Sequence, residues 1–273
     1  MEFLLAAFGM PIFAAMAVII ESHLSNRTFK HPTTMVFYVS ISNALFLPLL
    51  LFLGTPTMPS PEVWGRYLIL AAIYIGYLYP LLSYFWLGDK LDFAQYVGFA
   101  VIILSSVALS IKGRKIPKLN RAFYYMVLAS LLVAFAEVLK KYTLIEDLSW
   151  INLAIFPGAI SGMIPLAFLL VKPWRKDIVR NFPPYLKKCR LFVVNEFICF
   201  LGMVCGVYAL SGLSPVTLIS VNATQPIFML AFAYLLLKKF GVPLMEKISP
   251  QVILKKMFCF ILIILGVMLV IFE

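Results

Sequence analysis

Two carboxamide side chains, Asn222 and Gln225, lie in the middle of a long apolar stretch, residues 211–239. The stretch is long enough to cross a bilayer, and polar groups at that depth are kept where they face other protein or a water-filled cavity. Because they are three residues apart, the two amides would share one helix face, where we expect them to hydrogen-bond a polar substrate group. The alternative is that they join neighbouring helices. Pro226 is expected to kink or break this helix and to free backbone carbonyls for the cavity.

A carboxylate and a third amide are placed inside other apolar stretches. Glu196 lies about one and a half turns inside residues 191–210, where a carboxylate predicts binding of a cationic substrate or of a coupling proton or cation. The alternative for Glu196 is an ion pair with Arg190 or Lys188 near the membrane surface. Asn43 is central in the second apolar segment and is a further candidate for the cavity wall.

Glu137 is the second carboxylate inside an apolar segment. It is followed by Lys140 and Lys141, a spacing that also stabilises an ordinary helix surface, so the binding and structural interpretations compete. Aromatic residues make up 15% of the chain. Among them, Tyr79 and Tyr208 are expected to line a vestibule for apolar or quaternary-ammonium groups. Packing, or a belt at the membrane interface, is the alternative for both.

The composition identifies the elements that must hold these side chains. Apolar residues make up 63% of the 273 residues, so the chain is predicted to be an all-α polytopic membrane protein. Apolar segments recur along its whole length and leave no room for a separate soluble domain. We count about nine transmembrane helices, at residues 3–20, 33–53, 67–87, 93–111, 122–141, 150–171, 191–210, 211–239 and 257–272.

Positive charge predicts how these spans are oriented. The net charge of +11 would indicate nucleic acid as the partner of a soluble protein, but here the basic residues lie between apolar spans and set the topology. They concentrate in three predicted loops, residues 112–121, 172–190 and 238–256, which alternating spans place on one side, the cytoplasmic side by the positive-inside rule. With nine spans, the N-terminus is predicted to be cytoplasmic and the C-terminus to lie outside. The expected location is a bacterial cytoplasmic (inner) membrane, and no nucleic-acid partner is expected.

The two halves of the chain look alike. Glu21 precedes Pro48 by almost the same distance as Glu137 precedes Pro165, and small or polar residues come before both prolines. Tandem halves with interrupted hydrophobic segments in matching places are typical of secondary transporters, whose site lies between the repeats. Two related helical repeats are therefore predicted.

The chain resembles the EamA-type repeat family of the drug/metabolite transporter superfamily. The residues that carry the resemblance in the second half are Leu213-Ser214-Pro215, Gln225-Pro226-Ile227-Phe228, Leu235-Leu236-Leu237-Lys238-Lys239 and Leu265-Gly266-Val267. Those of the first half are Tyr79-Pro80-Leu81-Leu82, Leu87-Gly88-Asp89-Lys90-Leu91 and Gln95-Tyr96-Val97-Gly98. The resemblance implies two half-repeats, residues 1–112 and 113–273, and transport of a small metabolite through a cavity between them.

One departure from the family pattern lies in the first half. The family has two repeats of five helices, but residues 54–89 provide one span where the pattern requires two. The first half-repeat is therefore predicted to be shortened, with one helix missing.

Other function classes find little support in the sequence. The two histidines, His23 and His31, form no zinc-protease motif, and no phosphate-binding loop is present, so no enzyme activity and no cofactor are expected. The four cysteines match no metal or redox spacing and are interpreted as small hydrophobes. We therefore expect a secondary transporter of an amino acid, an amine or a similar metabolite, working by alternating access. The alternative is a non-transporting, degenerate family member that serves as a membrane partner subunit or a lipid-interacting scaffold.

Overall fold

The computed structural model describes residues 1–28, 32–72, 97–98, 100–102, 104–105, 135–146, 149–240 and 250–271. Within those residues the chain is helical almost throughout and contains no strand. Four helical stretches are long and apolar enough to cross a membrane: Glu2–Ile20, Trp150–Leu170, Phe182–Gly212 and Pro215–Phe232. The predicted all-α, multi-pass membrane class is confirmed at this level, whereas the count of nine spans and the internal repeat stay predictions.

The described residues contain ten α-helices of eight or more residues. In chain order they are α1 (Glu2–Thr28), α2 (Pro32–Ala44), α3 (Pro61–Ala72), α4 (135–146), α5 (Trp150–Met163), α6 (Lys172–Arg180), α7 (Phe182–Gly212), α8 (Pro215–Asn222), α9 (Gln225–Phe240) and α10 (Pro250–Ile271). Two 3-10 helices, Leu47–Phe52 and Ile164–Leu170, continue α2 and α5. The described residues between 97 and 105 are also helical.

The basic stretch 172–190 was expected to be a loop, and the structure corrects this. It forms α6 and the first turns of α7, with only Asn181 between the two helices. Ile178 and Tyr185 are buried while the basic side chains around them are mostly exposed. Ile178 and Tyr185 thus anchor the stretch to the bundle, whereas the apolar side chains of Val179 and Leu186 remain exposed.

Three helices are interrupted next to a proline. Pro48 and Pro165 are each the second residue of the 3-10 helix that continues α2 or α5. Pro226 follows the break between α8 and α9, as predicted. Proline has no backbone N–H and cannot donate the i→i−4 hydrogen bond of an α-helix. Each break therefore falls at a position where the helix would need that donor. Pro48 and Pro165 thus occupy the same place in their two helices, and the repeat itself stays a prediction.

Among the described helices, α1 and α7 form the most extensive contact, and they run antiparallel. The ring of Tyr208, near the end of α7, lies 5.1 Å from the ring of Phe3, at the start of α1. Earlier in α7, Gly202 faces Phe13, and a Cβ atom on that glycine would lie 3.2 Å from the Cβ of Phe13. Gly206 faces Met10 of α1 in the same way, so the two glycines, about one turn apart, let α7 pack closely on α1.

Helices α2 and α5 also run antiparallel. Gly162 faces Ala44, while Gly158, one turn earlier, faces Leu47, which comes later in the chain. A Cβ atom on either glycine would lie 2.9 Å from the facing side chain. These two glycines therefore let α5 pack closely on α2 and on the 3-10 helix that continues it.

Side-chain hydrogen bonds tie neighbouring segments together at the end of the bundle that holds the last turns of α4 and α7. Lys141 Nζ donates to the backbone carbonyls of Leu210 and Leu213, at 2.9 and 3.1 Å. A cation is favourable there because the C-terminal carbonyls of a helix carry partial negative charge. At the start of α5, the carboxamide of Asn152 accepts from the backbone N–H of Thr57 at 3.0 Å and donates to its hydroxyl at 2.9 Å.

An exposed ion pair between Arg66 of α3 and Glu146 of α4 lies at this same end. The Arg66 guanidinium also lies 4.5 Å from the centre of the Tyr142 ring. Its hydrogen bond to Glu146 lowers the pKa of that carboxyl, and the same hydrogen bond raises the pKa of Arg66. We name this end of the bundle, with Phe3, Glu146 and Gly212, the Glu146 end. The opposite end, with α6, is the Lys172 end.

The chain begins at the Glu146 end, which conflicts with the predicted topology. Helix α7 has 31 residues, or about 46 Å at about 1.5 Å per residue, and this length separates Gly212 from the basic α6. Phe3 lies beside Gly212. With nine alternating spans, α1 and α7 would be the first and seventh and would run in the same direction, but they run antiparallel. A cytoplasmic N-terminus and a cytoplasmic stretch 172–190 therefore do not fit this arrangement together.

Candidate functional site

A cavity of about 360 Å³ lies between α1, α4, α7 and α8. This volume is at the lower end of the range for small-molecule sites. Helix α1 belongs to the first predicted half of the chain and the other three belong to the second, so both halves contribute to the wall. The lining residues are Met10, Ala14, Ala17, Val18, Ala136, Glu137, Lys140, Cys199, Gly202, Met203, Gly206, Val207, Leu210, Leu218, Ile219 and Asn222.

Among the described lining residues, the polar part is an ion pair and an amide. Glu137 Oε1 lies 2.5 Å from Lys140 Nζ, and both side chains belong to α4, one turn apart. Glu137 is only 6% exposed. Asn222, at the end of α8, is also buried and lines the cavity. The structure therefore brings the predicted residues Glu137 and Asn222 to one cavity, and the charges of the ion pair sum to zero.

The remaining wall is apolar and built from small or flexible residues. Gly202 and Gly206 let α7 approach α1 closely. A Cβ atom on Gly206 would lie 3.1 Å from the Sδ of Met10, and Met203 lines the same wall. Methionine adapts to irregular shapes because its side chain is unbranched and polarisable. Apolar parts of a ligand can therefore pack against this wall.

Asn222 lies where the helix is interrupted. Helix α8 starts at the predicted Ser-Pro, with Ser214 Oγ accepting from the N–H of Thr217 at 3.2 Å. It ends at Asn222, and α9 begins at Gln225. Pro226 cannot donate the next i→i−4 hydrogen bond, to the carbonyl of Asn222. The expectation that Asn222 and Gln225 share the face of one helix was therefore wrong, and Gln225 is half-buried outside the cavity lining.

A second polar cluster surrounds Glu196, which is 1% exposed. Asn43 Nδ2 of α2 donates to Glu196 Oε2 at 3.3 Å, and Asn195 Nδ2 donates to Oε1 at 2.8 Å. The same Asn195 amide lies 3.8 Å from Cys199 Sγ, and Cys199 lines the cavity. Two predicted site residues, Glu196 and Asn43, are thus in direct contact, beside the cavity rather than in it.

This cluster continues towards the Lys172 end. Ser42 Oγ lies 2.9 Å from the hydroxyl of Tyr185, whose ring stacks on that of Tyr38 at 4.2 Å. The Tyr38 hydroxyl donates to the carbonyl of Ile178 at 2.7 Å, which ties α2 to α6. Buried polar side chains of α2 and α7 thus continue from the neighbourhood of Glu196 to the basic helix α6, in separate contacts.

The two predicted tyrosines have different outcomes. Tyr208 packs between Phe3 and Trp150, with ring centres 5.1 and 5.4 Å away, at the Glu146 end and outside the cavity lining. Its surroundings match the packing alternative that the sequence left open. Tyr79 lies outside the described residues.

Lys140 is a charged lining residue that sequence reasoning did not propose for the site. It was considered only as a helix partner of Glu137, although it lies inside a predicted span, where a charged side chain is itself an indication of function. The methionines of the wall gave no comparable indication, because apolar residues are common on every face of a membrane helix.

A scan against protein-family models finds no match to this chain, and a search of curated proteins finds no match either. The resemblance to EamA-type repeats therefore stays a prediction. Among the described residues, no group of three or more His, Cys, Asp or Glu side chains is placed to hold a metal ion.

Proposed function

We propose that the protein is a secondary transporter that moves a small metabolite, such as an amino acid or an amine, through this cavity by alternating access. The observation that carries the proposal is the ion pair of Glu137 and Lys140 on the wall of a 360 Å³ cavity inside a membrane bundle. Charged side chains are costly at membrane depth and are kept mainly where they serve a substrate or ion pathway.

The interrupted helix supports the same proposal. Asn222 lines the cavity at the point where α8 ends. Discontinuous helices place backbone polar groups at the binding sites of many secondary transporters, and a break between two helical halves also provides a place to bend. A cavity with walls from both predicted halves is the arrangement expected when one half moves against the other.

We further propose that the Lys172 end is cytoplasmic and that both termini lie outside. The support is the positive-inside rule together with the position of Phe3 at the Glu146 end. Both termini on one side require an even number of crossings. This agrees with the ten helices of the family pattern, and the nine segments counted from the sequence are then one short.

The test of transport is uptake into proteoliposomes that contain the purified full-length protein, with labelled amino acids, amines and nucleosides as substrates. We expect saturable uptake of at least one of them. Replacing Asn222 with alanine should lower the uptake rate about tenfold, which corresponds to about one hydrogen bond to the substrate. The matched control is Gln225→Ala, the same loss of an amide three residues away and outside the cavity, for which we expect a smaller effect.

Absence of saturable flux with every compound, together with unchanged thermal stability on adding them, would contradict transport and favour the scaffold alternative. Equal uptake by the wild type and Asn222→Ala would show that this cavity is not the substrate site.

Glu196 is proposed as the site of the coupling proton. It is buried and held by two neutral amides, Asn43 and Asn195, and it interacts electrostatically with the hydroxyl of Tyr185. The neighbouring Cys199 connects it to the cavity wall. A carboxylate in such a place can bind a proton in one conformation and release it in the other.

We expect Glu196→Gln to abolish the dependence of uptake on a proton gradient while leaving gradient-independent exchange of substrate. The glutamine keeps the size and hydrogen-bonding reach of the side chain but cannot be deprotonated. The measurement is uptake with and without an imposed pH difference, and Glu62→Gln, the same change at an exposed position in the first turn of α3, is the control. Full dependence of uptake on the proton gradient in Glu196→Gln would contradict the assignment of Glu196 as the proton site.

A further inference from the structure

The charge balance of the cavity indicates which class of substrate it accepts. Glu137 and Lys140 place one negative and one positive group side by side on the same wall, and their charges cancel. A ligand with a net charge would bring an uncompensated charge into a site of low polarity, which is unfavourable. A neutral ligand that carries both charges would instead pair with both side chains at once.

Resting on the transport proposed above, we propose that the substrate is a small zwitterion with an apolar side chain. Its ammonium group pairs with the Glu137 carboxylate and its carboxylate pairs with the Lys140 ammonium. The apolar side chain packs against Met10, Met203 and Val207, which line the same cavity. The volume of about 360 Å³ limits the ligand to a small molecule.

Asn222 offers the ligand a third polar contact, from a second helix. It lies on α8, whereas the ion pair lies on α4, so a zwitterion bound between them contacts both helices. Because α8 ends at Asn222, a ligand that contacts Asn222 lies at the break between α8 and α9. Binding is thereby connected to the part of the molecule at which we expect the transport motion.

The test compares ligands that differ only in their charged groups, using the thermal stability of the purified full-length protein in detergent. Alanine, leucine and phenylalanine are each measured beside the amine and the carboxylic acid with the same apolar part. For leucine these are 3-methylbutylamine and 4-methylpentanoate. We expect at least one amino acid to stabilise the protein at concentrations about tenfold lower than either of its counterparts, because each counterpart brings one uncompensated charge into the site.

Two double variants separate this site from general effects of charge. Glu137→Gln with Lys140→Met removes the cavity pair and should abolish the preference for the zwitterion. Arg66→Gln with Glu146→Gln removes the exposed pair at the Glu146 end, and the preference should remain. The ligand comparison on the wild type stands by itself if the first variant fails to fold.

The outcomes distinguish this inference from the proposed function. Equal stabilisation by amino acid, amine and acid, or by none of them, overturns the zwitterion as substrate, and saturable uptake of another compound would then leave transport intact. A preference that survives in Glu137→Gln with Lys140→Met overturns the role of the pair. Preferential binding of an amino acid without any flux supports the inference and contradicts transport.

Discussion

A cysteine at the N-terminus is expected to be labelled from outside the cell, and a cysteine in α6 only from inside. The positions are Glu2→Cys and Arg175→Cys, each in a protein whose four native cysteines are replaced by alanine. The physical reason is the antiparallel packing of α1 on α7, which places Phe3 beside Gly212 and a full helix length from α6. The expected result is all-or-none, because a charged maleimide does not cross the bilayer.

The labelling is measured in intact cells and again after permeabilisation, which serves as the control for reactivity. Labelling of both positions from the same side would contradict the antiparallel arrangement of α1 and α7. Labelling of Arg175→Cys from outside and of Glu2→Cys only after permeabilisation would preserve the arrangement and reverse the proposed orientation.

Gly266→Ala is expected to destabilise the protein by about 1–3 kcal/mol, the usual cost of forcing an extra methyl group into a close-packed contact. A Cβ atom on Gly266 would lie 2.6 Å from the backbone oxygen of Gly98 and 2.8 Å from Cγ1 of Ile102. A backbone oxygen cannot turn away as a side chain can, so α10 would have to move away from the helical residues around Gly98. The measurement is the midpoint of thermal unfolding in detergent.

The same substitution at Gly65 is the matched control, with the opposite expected sign. Gly65 lies on an exposed face of α3, and a Cβ atom there would meet nothing within 4 Å. Gly65→Ala should stabilise the protein by about 0.5–1 kcal/mol, because alanine loses less conformational freedom in a helix than glycine does. Equal midpoints for Gly266→Ala and the wild type would show that α10 does not approach Gly98 this closely.

The polar residues of the cavity could be predicted in part, because polar side chains are unusual inside apolar segments. Asn222 and Glu137 interrupt apolar segments, and the cost of polar groups in a membrane applies before any tertiary contact is known. The same argument identified Glu196 and Asn43, but not that they hydrogen-bond each other across α2 and α7. Gln225 met the same criterion but lies beyond the break that follows Asn222, outside the cavity lining.

The sequence by itself determined the class of protein, the apolar segments and the prolines at which helices break. These are local properties, because the bilayer requires a minimum apolar length and proline cannot donate a backbone hydrogen bond. Only the tertiary structure decided which helices are neighbours, that α1 and α7 run antiparallel, and that Lys140 faces the cavity. Apolar helix faces are equally compatible with lipid and with one another, so hydropathy leaves their partners open. The choice depends on the fit of small residues such as Gly206 against Met10, and that fit exists only between assembled helices.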